Sequence, residues 1–176
     1  MQNTNSVIWV TGLSGSGKTT FANKLNNHLR SNSFRTVLLD GDELRTILNV
    51  SNSHFSRNER IELGFIYSRF CKYLAQQGYV VIIATIALYK EIQDWNRKNM
   101  PSYVEILMNI SQEELEKRDS KHLYSQFEAG SINQVSGFDI AIDWPSAPNY
   151  TISFTDYDFD EIAASIALDL RNSYEK

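Results

Sequence analysis

The chain has 176 residues with 42% hydrophobic and 22% charged residues and a formal net charge of −4. That length suits one domain, 1–176, with a full core, and the acidic balance argues against a general nucleic-acid surface. The single cysteine, Cys71, excludes an intramolecular disulfide; no apolar run is long enough to span a bilayer and no signal-peptide pattern opens the chain, so the expectation is a cytoplasmic protein without membrane partners.

The first element is a short apolar strand, Val7-Ile8-Trp9-Val10. Gly12-Leu13-Ser14-Gly15-Ser16-Gly17-Lys18-Thr19-Thr20 follows and fits G-x-x-x-x-G-K-[ST], the phosphate-binding loop of nucleotide triphosphatases and kinases. Glycines let successive backbone N–H groups turn toward phosphate oxygens. A helix from Phe21 to Arg30, with Phe21, Ala22, Leu25 and Leu29 at helical spacing, aims its positive end at the same anion. Gly12 to Thr20 are therefore the ATP-binding candidates. Lys18 is placed to reach the β- and γ-phosphates, and the Thr19 hydroxyl to ligate Mg²⁺.

Thr36-Val37-Leu38-Leu39 reads as a second buried strand ending at Asp40-Gly41-Asp42. Acidic residues at the carboxyl end of a strand in an α/β sheet stand where ligands bind. Asp40 is the candidate for holding a water on Mg²⁺, and Asp42 for accepting the proton of an attacking hydroxyl. The plainer reading is that one of them caps the helix Glu43 to Leu48. Arg45 is either a phosphate ligand on the face of Asp42 or a solvated surface arginine.

After a polar loop, Asn49 to His54, a long helix runs to about Gln77, with Phe55 and Arg60 at its start. Ile61, Phe65, Phe70, Tyr73 and Leu74 suit its core face, and Cys71 sits in the same apolar stretch. Tyr79 to Ala84 is a strand, Thr85 to Leu88 the loop at its carboxyl end, and Tyr89 to Asn99 a charged helix. Tyr103 to Met108 is the next strand, and Ser111 with Glu114 has the capping-box spacing. The polar stretch 118–137 reads as a mobile lid whose Arg118 and Lys121 neutralise phosphate charge, or as a plain connector. Tyr150 to Phe154 is a last strand, and Asp158 to Asn172 a closing helix with Phe159, Ile162, Ile166, Leu168 and Leu170 inward. Strands alternating with helices predict an α/β fold, a doubly wound parallel five-stranded sheet of the P-loop NTPase type. The three histidines are scattered and suggest no structural metal site.

Together these stretches resemble the adenylyl-sulfate kinase family. The carrying pieces are Gly12 to Thr20, Leu39-Asp40-Gly41-Asp42-Glu43-Leu44-Arg45, Phe55-Ser56 with Arg60, Arg118-Asp119-Ser120-Lys121-His122-Leu123-Tyr124, and Ala129-Gly130-Ser131-Ile132. The resemblance implies transfer of a phosphoryl group from MgATP to the ribose 3′-hydroxyl of a small nucleotide acceptor, with adenylyl sulfate as the acceptor by family name. It implies catalytic roles for Lys18, Asp40 and Asp42, an ATP contact from Arg118, and acceptor contacts from Asp42, Arg45, Phe55, Arg60, Ile86, Lys121 and Val135. It also carries the expectation of a homodimer.

Departures from the family pattern gather at the acceptor. Leu63 stands where the family has Asn, Phe65-Ile66 where it has two basic residues, Ala87-Leu88 where it has Ser-Pro, and Val135-Ser136-Gly137 where it has Phe-Thr-Gly. That Phe stacks on the acceptor adenine opposite the residue matching Phe55. The segment Tyr89 to Asn99 looks like one in kinase homologues of surface-polysaccharide synthesis, which include cytidine diphosphoramidate kinases. Adenylyl sulfate and cytidine diphosphoramidate therefore stand nearly level as acceptors. A regulatory module that binds ATP without transfer is the reading from another class, and the intact Lys18, Thr19, Asp40 and Asp42 speak against it.

Overall fold

The computed structural model describes residues 5–50, 56–119, 122–153 and 158–174. Its centre is a five-stranded, wholly parallel sheet made of β1 (Ser6–Thr11), β2 (Thr36–Asp40), β3 (Val80–Ala84), β4 (Tyr103–Asn109) and β5 (Tyr150–Ser153), in the order β2-β3-β1-β4-β5. Helices α1 (Lys18–Ser31), α2 (Gly41–Ile47), α3 (Arg57–Gln76), α4 (Lys90–Asn99), α5 (Gln112–Arg118), α6 (Leu123–Glu128) and α7 (Phe159–Tyr174) connect and cover it. The order of β1, α1 and β2 puts the phosphate loop at the carboxyl end of the central strand, where open α/β sheets bind ligands.

Both faces of the sheet are buried along β1, β3 and the middle of β4, which is why these strands read as continuous apolar runs, while the edge strands β2 and β5 are partly exposed. Ile8, Val10, Ile82 and Ile106 pack under α1 and α7. Val7, Trp9, Val81 and Ile83, alternating with them along the strands, pack under α3 and α4. A third cluster at the carboxyl end joins Leu13, Leu88, Leu107, Leu115, Tyr124 and Val135. It seats residues 123–138 on the phosphate loop through Leu13.

The structure corrects three readings of the helices. The buried stripe of α3 is Leu63, Gly64, Tyr67, Ser68, Cys71 and Ala75, while Phe70 and Tyr73 are exposed and Ile61, Phe65 and Leu74 only partly buried. Gly64 sets this phase: a Cβ there would lie 3.0 Å from Ile92 Cδ1, so α3 meets α4 on its small residues. On α7 the stripe is Ala163, Ile166, Ala167 and Leu170, and Leu168 is turned out to solvent at 53% exposure. At α5, Ser111 accepts the Glu114 N–H, but the Glu114 carboxylate accepts from Arg118 rather than closing a capping box. The complete box is Ser56 with Glu59, at the start of α3. Cys71 is fully buried, and burial pushes its thiol pKa up. Among the described residues no helix is long and apolar enough to cross a membrane.

Candidate active site

The phosphate loop is held open by backbone that only glycine tolerates well. Gly15 and Gly17 have φ of 75° and 85°. At Gly12 a Cβ would stand 2.7 Å from the Met108 carbonyl and 2.8 Å from Ser16 Oγ. Gly17 is the N-cap of α1 and supplies no side-chain acceptor, and the first turn carries no acidic residue. The N–H groups and the positive end of α1 are thus left for an anion.

Lys18 Nζ donates to the Leu13 carbonyl at 2.6 Å, folding its ammonium back over the loop. The Thr19 hydroxyl donates to Asp40 Oδ2 at 2.7 Å. The other oxygen of Asp40 accepts the Asp42 N–H at 2.8 Å, which makes Asp40 the N-cap of α2. Capping and site geometry therefore coincide: the contact that starts α2 also fixes a carboxylate beside Thr19. Asp42, one turn before Arg45, forms an ion pair with it. Tyr67 donates to the Gly41 carbonyl at 3.0 Å and pins this corner to α3, and burial pushes its hydroxyl pKa up to about 12.

These groups line one cleft of about 1180 Å³. Ser14, Gly15, Gly17, Lys18, Thr19 and Thr20 form its phosphate side. Gly12, Leu13 and Ser16 lie behind that wall, where Leu13 packs into the third cluster and Ser16 is buried. Asp40, Asp42, Arg45, Arg60, Leu63, Ile86 and Val135 line the same cleft. Arg118 also borders the cleft and is held by Glu114 at 2.8 Å. Phe55 and Lys121 lie outside the described residues.

Arg60 donates to the Gln134 carbonyl at 2.6 Å and so ties α3 to the 118–137 stretch. Burial pulls its guanidinium pKa down; Tyr89 and Asp139 oppose that shift, and Arg45 adds to it. Tyr124 donates to the Ser14 carbonyl at 2.6 Å, a second tie, from α6 to the phosphate loop itself. Asp119 caps α6 by accepting from Tyr124 and Ser125. Partial burial pushes its pKa up, but those hydrogen bonds outweigh it and hold the carboxyl at about 2.

Tyr67, Tyr89, Gln134 and Ser136 also line the cleft. The sequence reading gave none of them a functional role. Their signal is tertiary, since each looks like an ordinary helix or loop residue until Arg60 and the carboxyl end of β3 are in place. A pair of oxygen donors, Thr19 and Asp40, is the part of the site suited to a hard cation that keeps most of its waters.

A profile of the adenylylsulphate kinase family matches residues 4–153. The chain is 41% identical over 147 residues to a cytidine diphosphoramidate kinase of Campylobacter jejuni, covering 84% of this chain and 85% of that one. It is 35% identical over 162 residues to an adenylyl-sulfate kinase of Marinobacter nauticus, covering 91% and 81%. The structure of the Mycobacterium tuberculosis APS kinase in complex with AMPPNP and APS superimposes with a TM-score of 0.86 at 30% identity, over 95% of this chain and 97% of that one. The matched span takes in the phosphate loop, the parallel sheet and the Asp40–Arg45 corner, and the chain belongs to the adenylylsulphate kinase family and is a phosphotransferase.

Proposed function

We propose that the chain transfers the γ-phosphoryl group of ATP to the ribose 3′-hydroxyl of a nucleotide, and that the acceptor is cytidine diphosphoramidate in preference to adenylyl sulfate. The observation that carries the choice of acceptor is the position of two departures from the family pattern. Leu63 and Val135 both line the cleft that holds Asp42, Leu63 from α3 and Val135 from the stretch that packs on Leu13 of the phosphate loop. Val135 offers no aromatic face to an adenine, and Leu63 offers no amide. A smaller pyrimidine needs less stacking surface. The greater identity to the cytidine diphosphoramidate kinase than to the adenylyl-sulfate kinase supports the same choice.

In this reading the loop N–H groups and the α1 N-terminus hold the ATP phosphates. Lys18 exchanges the Leu13 carbonyl for a phosphate oxygen and stabilises the charge that develops on transfer. Thr19 and Asp40 would hold Mg²⁺, Asp40 through water; when bound, the ion neutralises phosphate charge. The acceptor 3′-oxygen bonds to the γ-phosphorus as the bond to the β-phosphate bridging oxygen breaks, and ADP leaves with that electron pair. Asp42 takes the 3′-hydroxyl proton, oriented by Arg45. Arg60, with Arg45, offers charge to the acceptor's diphosphate-like tail. The cleft of about 1180 Å³ has room for donor and acceptor together. The 118–137 stretch, tied to the phosphate loop by Tyr124 and to α3 through Arg60, closes over both as a lid.

The test is to incubate the chain with labelled ATP, Mg²⁺ and cytidine diphosphoramidate, and to locate the new phosphate by NMR. Label at the 3′-position, lost with Asp42→Ala or EDTA, is the expected result. ADP release at the same rate with and without acceptor would contradict it.

A further inference from the structure

The phosphate loop contains a tight turn whose form its own residues leave open. The Ser16 N–H donates to the Leu13 carbonyl at 3.2 Å, which places Ser14 and Gly15 at the centre of a four-residue turn. Gly15 has φ 75°, the value of the third residue of a type II turn. Type I and type II turns share their outer residues and differ by roughly a half-rotation of the central peptide, here Ser14–Gly15. Glycine accepts both signs of φ, so Gly15 alone does not choose between them.

The choice is made by Tyr124 on α6. Its hydroxyl donates to the Ser14 carbonyl at 2.6 Å, from 110 positions further along the chain. The ring is fixed independently of that bond. It is 2% exposed, lies 4.9 Å from the Phe138 ring and belongs to the third apolar cluster with Leu13 and Leu115, and Asp119 accepts the Tyr124 N–H at 3.0 Å. Burial pushes the hydroxyl pKa up to about 12, so the group is a donor throughout the neutral range. Ser14 and Gly15 line the cleft, and Tyr124 is buried outside its lining. The Ser14 carbonyl therefore points out through the cleft wall, and in a planar trans peptide the Gly15 N–H points the opposite way. A flipped peptide would turn a carbonyl oxygen, in place of that N–H, toward an anion in the cleft.

We propose that Tyr124 is a positioning residue for the phosphoryl donor: its hydroxyl holds the turn Leu13 to Ser16 in the type II form and so keeps the Gly15 N–H directed at the ATP phosphates. The inference rests on the ATP donor of the preceding section. A cradle of N–H groups binds phosphate only while each of them faces inward. The α6 helix thus contributes to donor binding through the backbone that it holds, without a ligand contact from Tyr124 itself.

The experiment compares wild type with Tyr124→Phe, which keeps the ring and its packing and removes the hydroxyl. MgATP affinity is measured by calorimetry without acceptor, the KM of each substrate by steady-state kinetics, and the Gly15 amide by NMR of the ligand-free protein. The variant should bind MgATP about three- to tenfold more weakly, with a matching rise in the KM for ATP and an unchanged acceptor KM. The Gly15 amide should give one signal in wild type, should broaden or split in the variant, and should return to one signal with saturating MgATP. Unchanged MgATP affinity, or weaker affinity with a lower melting temperature and a single, unperturbed Gly15 signal, would assign Tyr124 to packing of α6 and overturn the inference alone. Failure of wild type to bind MgATP would overturn the donor reading, and the inference with it.

Discussion

The phosphate side and the acceptor side of the cleft are built by different means. The first is one continuous segment, Gly12 to Thr20, that presents backbone N–H groups, a helix end and the side chains of Lys18 and Thr19, with Asp40 joining it from the end of β2. The second is assembled from α2, α3, the β3–α4 connection and the 118–137 stretch, and its contacts are side chains. A loop whose glycines are fixed by φ and by close backbone approach tolerates little change. A wall drawn from four segments has its side chains set by separate elements, Leu63 by α3 and Val135 by the stretch after α6. In the proposed reading, that is where specificity changes while the reaction stays the same.

The sharpest way to break this contrast is at the junction. Asp42→Ala should lower kcat by about 10²–10⁴-fold with any acceptor, because the base is lost. A variant with unchanged kcat would move the proton acceptor elsewhere. Lys18→Ala should cost about 10²–10³-fold in kcat while circular dichroism and the melting temperature stay at their wild-type values. Loss of fold instead would make Lys18 structural, through its bond to the Leu13 carbonyl. On the acceptor side, Val135→Phe restores an aromatic ring to the wall and should shift the kcat/KM ratio about two- to tenfold toward adenylyl sulfate. Leu63→Asn should act in the same direction, and neither should change the KM for ATP. The smallest effect concerns Asp119. Its folded pKa of about 2 lies below the usual 3.8, so its contribution to α6 is present above about pH 4 and is lost as pH falls toward 2. Asp119→Ala should speed hydrogen exchange at the Tyr124 and Ser125 amides, and unchanged exchange would remove Asp119 as the α6 cap.

The two sides also differed in how far they could be read from sequence. Gly12 to Thr20 was legible because its physics is local: glycines, lysine and threonine at fixed spacing between a strand and a helix. Asp40 was legible as a candidate, and of the two acids that could cap α2 the structure shows that it is Asp40 that does so, beside Thr19. The inner face of α3 differs from the one its large apolar residues predict. The helix instead buries the stripe through Gly64, Tyr67 and Cys71, where small side chains let it approach α4, and it leaves Phe70 and Tyr73 outside. Leu168 was misread in the same way, one position off the stripe Ala163, Ile166, Ala167 and Leu170. The clamp of Asp139 and Arg60 on Gln134 joins residues 74 positions apart, and no periodicity records it. The α6 helix inside the 118–137 stretch was hidden because its cap, Asp119, precedes it by four residues.

The central question is whether the altered acceptor wall marks an altered acceptor. The direct measurement is kcat/KM for cytidine diphosphoramidate and for adenylyl sulfate, side by side with saturating MgATP. A clear preference for the cytidine compound is the expected result, and it would tie Leu63 and Val135 to the choice of substrate. A clear preference for adenylyl sulfate would contradict the account and make those residues tolerated variations in an unchanged pocket.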